Sequence, residues 1–279
     1  SYLATQKYFS RRPGDLLELG CQSFREVVGK VENNEADYAV LPVENTTSGS
    51  INEVYDQLQN TELSIIGELT HAIKHSLLVA KETTLANIKT LYAHPQVFTQ
   101  CSHFLAELGN VEVKTMDATS SAMLKVSELN RDDVAAIRSE AGGNLYGLFA
   151  IKSNLANQKE NHSRFIVVAK QPVVVPLQVP AKTTFVMSTV QKPGALVEAL
   201  MVLKENNIDM TKLESRPIPG NPWEELFYID VEGNTQDGPV QSALIELKRI
   251  TRYLKVLGCY PSEEINPTKV AASKALTAG

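Results

Sequence analysis

Paired cysteines are missing from this 279-residue chain: Cys21, Cys101 and Cys259 are odd in number, far apart and without a C-x-x-C pair. That excludes a disulfide framework and a thiolate metal centre, and makes a reducing cytoplasm the expected compartment. Basic charge is also scarce. Lys and Arg total 27 against 32 Asp and Glu, giving a net charge of −5 and a pI near 5.6. No cationic stripe is therefore available for a nucleic-acid backbone, and an anionic ligand has to be held locally. No apolar run reaches the roughly 18 residues that a membrane-spanning helix needs, and no charged-then-apolar leader is visible, so neither a membrane nor a secretory route is expected. The chain starts at Ser1 inside "SYLATQKYF", which has the pattern of a helix interior, so an upstream segment is expected to have been removed.

The familiar catalytic sets are absent too. There is no G-x-S-x-G, Walker-type loop, Rossmann glycine fingerprint or H-E-x-x-H, and the glycines of "SEAGGNLYG" (139–147) do not fall at G-x-G-x-x-G spacing. His71 and His75 are four apart, but "ELTHAIKHSLLVA" reads as extended and offers no third ligand nearby, so no metal is expected. The chemistry is expected to need no cofactor.

What is present is the composition of a soluble globular protein, 43% hydrophobic and 21% charged, long enough for two domains or one divided into lobes. Up to about residue 170, strand-like runs alternate with helical ones. "ADYAVLPVE", "KTLYAH", "VEVKTMD", "VAAIRS" and "RFIVVAK" are strand-like, while "SGSINEVYDQLQ", "PQVFTQCSHFLAEL" and "ATSSAMLKVSEL" carry three-and-four spacing. The alternation predicts a mainly parallel sheet covered on both faces. Prolines 172, 176 and 180 then mark an extended linker. Beyond it "TTFVMSTV", "GALVEALMVLKENN", "MTKLESRPI" and "ELFYIDVEG" read as β-α-β-β. A helix is predicted over "VQSALIELKRITRYLKVLG", from Val240, Leu244, Leu247, Ile250 and Leu254, with a short strand near "CYP" to complete a ferredoxin-like unit. Such a unit has one sheet face free of helices and an open sheet edge, which favours pairing with a second copy.

Ligands of open α/β sheets bind beyond the carboxyl ends of strands, where helices begin. Three polar turns lie there: "VENTTSGS" (43–50), "AHPQ" (93–96) and "DATSSA" (117–122). Two of them place several hydroxyls ahead of a helix, where unpaired N–H groups favour an anion. Each has an ordinary reading as an N-cap or turn as well. "ENHSRFIVVAK" (160–170) adds a hydroxyl, a guanidinium and an aromatic ring at the mouth of a strand. Arg164 alone would be a surface or ion-paired residue; in a cleft its fork matches a carboxylate.

At these residues the sequence resembles the prephenate dehydratases over nearly its whole length, and is most like the dehydratase and regulatory parts of the bifunctional chorismate mutase/prephenate dehydratases. "YGLFAIKSNLANQKENHSRFIVV" ends in the family's Thr-Arg-Phe element, here Ser163-Arg164-Phe165. "MTKLESRPIPGNPWEELFYID" contains the Glu-Ser-Arg-Pro signature at Glu214–Pro217, and "PGALVEAL" matches the Gly-Ala-Leu-Val loop. The resemblance implies an α/β, two-lobed, periplasmic-binding-protein-like catalytic domain over 1–171 and a linker over 172–181. A ferredoxin-like (βαββαβ) ACT domain over 182–265 and a tail over 266–279 would follow.

It also implies the reaction, in which prephenate loses carbon dioxide and water to give phenylpyruvate. Ser163 would assist the leaving hydroxyl, Arg164 would bind a carboxylate and Phe165 would wall the cleft. Asn45, Thr46, Ser48, Gly49 and Thr119 would line it, with His94 and Gln96 nearby. L-phenylalanine would bind between two ACT units of a dimer or tetramer, at Gly194, Ala195, Leu196 and Val197 and at Glu214, Ser215, Arg216 and Pro217.

The sequence departs from the family in two places. The opening strand and Gly-rich turn of the family are not seen, and neither are the mutase helices. Serine also stands where the family has threonine, which frees the side chain at χ1 and is expected to slow turnover about tenfold, roughly 1 kcal/mol. An arogenate dehydratase and a non-catalytic phenylalanine sensor are the rival readings.

Overall fold

The computed structural model describes residues 1–10, 15–116, 119–158, 160–218, 220–221 and 223–263. In chain order the elements are α1 (Tyr2–Phe9), α2 (Phe24–Glu32), β1 (Ala39–Asn45), β2 (Gly49–Ser50), α3 (Asn52–Asn60), β3 (Ser64–Ala72), β4 (Ser76–Val79) and β5 (Thr90–Ala93). Next come α4 (Pro95–Gln100), α5 (Ser102–Leu108), β6 (Glu112–Thr115), α6 (Thr119–Leu129), β7 (Val134–Arg138), α7 (Glu140–Asn144), β8 (Phe149–Lys152) and β9 (His162–Ala169). The C-terminal unit adds β10 (Ala181–Thr189), α8 (Ala195–Glu205), β11 (Met210–Pro217), β12 (Glu225–Glu232), α9 (Gly238–Ile250) and β13 (Thr251–Pro261).

Two sheets make two lobes. The first has the order β2-β1-β9-β3 and every pairing in it is antiparallel. The second has the order β6-β5-β7-β4-β8; β5 runs parallel to β6 and β7, and β4 pairs antiparallel with β7 and β8. The expected mainly parallel sheet is thus limited to three strands of the second lobe. The reason is β9, which arrives from far along the chain and inserts between β1 and β3. In the second lobe the period of two decides the packing. Leu77, Leu91, Ala135 and Ile137 face Val97, Cys101 and Phe104 of α4 and α5, whereas Leu78, Tyr92 and Ala136 face Ala122, Met123 and Val126 of α6.

The chain crosses between lobes twice, through residues 73–75 and 153–161. The crossings are tied to each other, Ile73 N donating to the Asn161 carbonyl at 2.7 Å and Leu155 N to the His75 carbonyl at 3.0 Å.

The C-terminal sheet has the ferredoxin-like order β11-β12-β10-β13. One face packs Phe185, Met187 and Ile229 against Val202 and Leu203 of α8 and Leu247 of α9. The other face, free of α8 and α9, is covered by the first lobe. Val186, Tyr228, Leu257 and Tyr260 share one core with Leu41, Val54, Tyr55 and Ile65 of the first lobe. At Gly258 the approach is so close that a Cβ would lie 2.2 Å from the Ile65 carbonyl oxygen.

Two helix predictions need correction. "PQVFTQCSHFLAEL" breaks at Cys101 into α4 and α5. The helix from residue 240 stops at Ile250, and Thr251–Pro261 is an eleven-residue strand. Leu254 fits a three-and-four pattern, but pairing along β10 from Thr189↔Thr251 to Ala181↔Pro261 overrides it. Residues 172–180 carry neither helix nor strand. The expected tail, 266–279, lies outside the described residues.

Candidate active site

Strands β1, β9 and β3 bring Asn45, Ser163 and His71 into one cross-strand row, since Ser163 is the register partner of both others. Directly paired residues point to the same face. Asn45 Nδ2 donates to Ser163 Oγ at 3.0 Å, to Asn161 Oδ1 at 2.6 Å and to the His162 carbonyl at 3.0 Å. Because the amide nitrogen is the donor, Ser163 Oγ accepts and its own O–H has no acceptor among the described residues. That proton remains available to a ligand.

The hydroxyl-rich turn is built around the same asparagine. Asn45 Oδ1 accepts from the backbone N–H groups of Thr47 and Ser48 at 3.0 and 3.1 Å, and from their hydroxyls at 2.5 and 3.0 Å. Gly49 closes the turn at φ +79°, in the left-handed region that suits glycine. Thr46 pins the turn to β9: its N–H donates to the His162 carbonyl at 2.9 Å, and its Oγ1 accepts from the His162 N–H at 3.0 Å.

A chain of donors runs into this turn from the crossings. His75 is buried, and burial lowers its pKa below the usual 6.5 against a smaller opposing effect of its Gln100 hydrogen bond, so the ring is neutral at pH 7. Its Nε2 lies 2.7 Å from Gln100 Oε1, while Gln100 Nε2 donates to Thr47 Oγ1 at 2.7 Å. With Gln100 Oε1 as acceptor, the direction is fixed throughout: His75 to Gln100, to Thr47, to Asn45, to Ser163. His75 Nδ1 is buried without a partner among the described residues. His71, in the Ser163 row, also has a lowered pKa, from burial first and then Lys7.

The second lobe contributes Arg138 at the C-terminal end of β7. Ser139 follows it as the N-cap of α7, and α6 begins at the same end of the parallel strands. The guanidinium has no hydrogen bond or ion pair among the described residues, and burial pushes its pKa down to about 10. Its charge also acts to lower the pKa of His75, after burial.

Arg164 is placed differently from its sequence reading. Neighbours in a strand face opposite ways, so Arg164 points away from the Ser163 row. Its Nε donates to Glu68 at 2.7 Å, Nη1 to Asp230 at 2.5 Å and Nη2 to Tyr260 at 3.0 Å; Glu44 is 3.5 Å away. Its fork is spent on protein carboxylates, so the substrate-carboxylate role is withdrawn. Burial opposes its charge, but Asp230, Tyr260 and Glu68 outweigh that and raise its pKa. Phe165 is also reassigned. It is 5% exposed and packs with Phe9, Val40, Ile66 and Leu69 beneath α1, supporting β9 from the core instead of walling an open cleft.

His94 caps α4, its Nδ1 accepting from the Gln96 N–H at 3.3 Å, and the Gln96 side chain is exposed. Thr119 opens α6, but its side chain, with residues 117 and 118, lies outside the described residues. The sequence reading missed Gln100, Asn161 and Arg138, and weighed His75 only as a metal ligand. Only Gln100 carried a signal, standing one helical turn after Gln96.

In the C-terminal unit, Gly194 (φ +78°) caps α8, whose first turn holds Ala195, Leu196 and Val197; Ala195 is buried and Val197 exposed. Strand β11 alternates. Ser215 and Pro217 are exposed, whereas Glu214 accepts from Ser50 Oγ and Arg216 holds Asp56 of α3 through two bonds of 3.0 and 2.9 Å.

Residues 1–173 match the family model described as prephenate dehydratase. The chain belongs to the prephenate dehydratase family. Its relatives include the bifunctional chorismate mutase/prephenate dehydratase of Enterobacter agglomerans, 55% identical over 269 residues that cover 96% of this chain and 70% of the relative. Among solved structures, the prephenate dehydratase of Arthrobacter aurescens in complex with L-Phe is 26% identical with a TM-score of 0.83, over 94% of this chain and 86% of that one. A structure described as GqqA, a quorum quenching acylase, is 30% identical with a TM-score of 0.84, over 94% and 93%. The two-lobed prephenate dehydratase fold with a ferredoxin-like C-terminal unit is therefore the fold of this chain. Among its described residues no helix is long and apolar enough to cross a membrane.

Proposed function

We propose that this chain converts prephenate to phenylpyruvate, carbon dioxide and water, with Ser163 as the hydrogen-bond donor to the departing hydroxyl. The observation that carries the assignment is the bond from Asn45 Nδ2 to Ser163 Oγ, which leaves the serine proton free for donation. As the carboxylate on the ring leaves, the C–C bonding electrons move into the ring and the C–O bond breaks, its oxygen leaving as water with the proton supplied through Ser163. Aromatisation supplies much of the driving force, so the protein has chiefly to orient the diacid and stabilise the leaving oxygen. A hydroxyl is too weak an acid to ionise first at neutral pH, so donation and bond cleavage are concerted.

With Arg164 committed elsewhere, Arg138 is the cation suited to a substrate carboxylate. Arg138→Gln is expected to raise KM about tenfold while changing kcat less than threefold, the signature of lost uniform binding. An unchanged KM would remove Arg138 from the site.

Residues 1–171 form the catalytic part in this reading, and 182–265 the ACT part. Feedback inhibition by L-phenylalanine, the ligand in complex with the Arthrobacter enzyme, would act through the Gly194–Val197 and Glu214–Pro217 segments between paired copies. The location is cytoplasmic. Acyl transfer is less well supported, because Ser163 is hydrogen-bonded to an amide and to no base that would activate it as a nucleophile.

The deciding experiment is phenylpyruvate formation from prephenate by the purified chain, with arogenate in parallel, with and without L-phenylalanine. Prephenate turnover suppressed by phenylalanine is the expected result. Preference for arogenate would change the substrate, and phenylalanine binding without turnover of either acid would leave a sensor.

A further inference from the structure

Two adjacent register pairs across β1 and β9 face opposite ways. Asn45↔Ser163 faces the donor chain, and Glu44↔Arg164 faces the C-terminal sheet. Both members of the second pair are gripped by that sheet. Arg164 is held by Asp230 of β12 and Tyr260 of β13, and Glu44 is held by Lys212 of β11 at 2.5 Å. The grip on Arg164 is closed into a ring. Since Tyr260 Oη accepts from Arg164 and Asp230 Oδ1 accepts from Thr184 Oγ1 at 2.6 Å, the tyrosine hydroxyl donates to Thr184 Oγ1 at 2.7 Å. Each hydrogen bond in that ring has one direction. A buried ring of directed hydrogen bonds does not slide; it holds one arrangement or breaks.

Resting on the reading of a phenylalanine-regulated dehydratase, we propose that Arg164 is a positioning residue for regulation: through Asp230 and Tyr260 it couples the C-terminal sheet to the strand that carries Ser163, and effector binding is transmitted by that contact. The geometry argues for transmission as well as adhesion. The ring is one residue from Ser163, the second grip is one residue from Asn45, and both enter the backbone of the two strands whose side chains orient the donor. A ligand shifts such an equilibrium only by its differential affinity for the two arrangements, and β11 and β12 belong to the sheet it is expected to touch.

The test uses the full chain with Asp230→Asn, which removes the charge at constant volume, and Tyr260→Phe, which removes one oxygen. Turnover, its inhibition by L-phenylalanine and phenylalanine binding by calorimetry are measured on parent and variants. The expected result is kcat and KM within about twofold of the parent and affinity for phenylalanine within about threefold, with the fraction of turnover lost at saturating phenylalanine reduced at least about threefold. Inhibition unchanged in both variants would make the ring an adhesive contact and overturn the proposal. Loss of phenylalanine binding would overturn it too, placing the ring in the effector site. An uninhibited parent would reject the regulatory reading itself, and the proposal with it.

Discussion

Replacement of Ser163 by alanine is expected to lower kcat by about a hundredfold to a thousandfold and to change KM by less than about threefold, since a positioned proton donor contributes mainly at the transition state. The fold should tolerate the change. Asn45 Nδ2 keeps Asn161 Oδ1 and the His162 carbonyl as acceptors, so the lost acceptor costs at most about 1 kcal/mol. Ser163→Thr is the complementary variant: the hydroxyl stays and the added methyl stiffens χ1, so the rate should hold or rise up to about tenfold. Phenylpyruvate formation under saturating prephenate reads both. An alanine variant as fast as the parent would remove Ser163 from the mechanism, and a threonine variant far slower would contradict the account of how the hydroxyl is held.

The second large effect is on stability. Arg164→Met leaves Asp230 and Glu68 buried with much of their compensating charge gone, and breaking a buried pair on one side costs about 3–5 kcal/mol. That is a large part of the roughly 5–15 kcal/mol that keeps a protein of this kind folded. Lys182 still reaches Glu68 at 2.8 Å and Thr184 still reaches Asp230, so the loss falls mainly on Asp230. Adding Asp230→Asn to Arg164→Met should therefore recover part of the stability. Urea unfolding of the single and double variants measures it. Were Arg164 a substrate ligand instead, its loss would raise KM and leave the unfolding midpoint in place.

How far the sequence could be read follows from which contacts are local. Helix α6, the core strands of the second lobe and the β-α-β-β run after residue 181 are set by neighbouring residues, so their periodicity is visible in the chain. The insertion of β9 between β1 and β3 is not, because its partners lie about a hundred residues away in sequence, and no local pattern encodes that choice. The candidate site divides in the same way. Asn45 and the hydroxyls after it were legible as a turn that could serve a ligand. Ser163 and Arg164 were legible as a pair but were assigned to one site, although strand alternation sends them to opposite faces. Gln100, Asn161 and His75 become partners only where the two crossings meet, and each alone is an ordinary polar residue. Leu254 shows the opposite failure, a helical spacing that strand pairing with β10 overrode.

The shared core of the first lobe and the C-terminal sheet has a thermodynamic consequence. Val186, Tyr228, Leu257 and Tyr260 cannot be exposed without opening the packing of Leu41, Val54 and Ile65, whereas the apolar clusters of the second lobe draw on neither group. The units that melt together are therefore not the segments on either side of the proline-marked linker. The elements α1, α2, β1, β2, α3, β3 and β9, with β10, α8, β11, β12, α9 and β13, form one cooperative block, and the elements from β4 to β8 form the other.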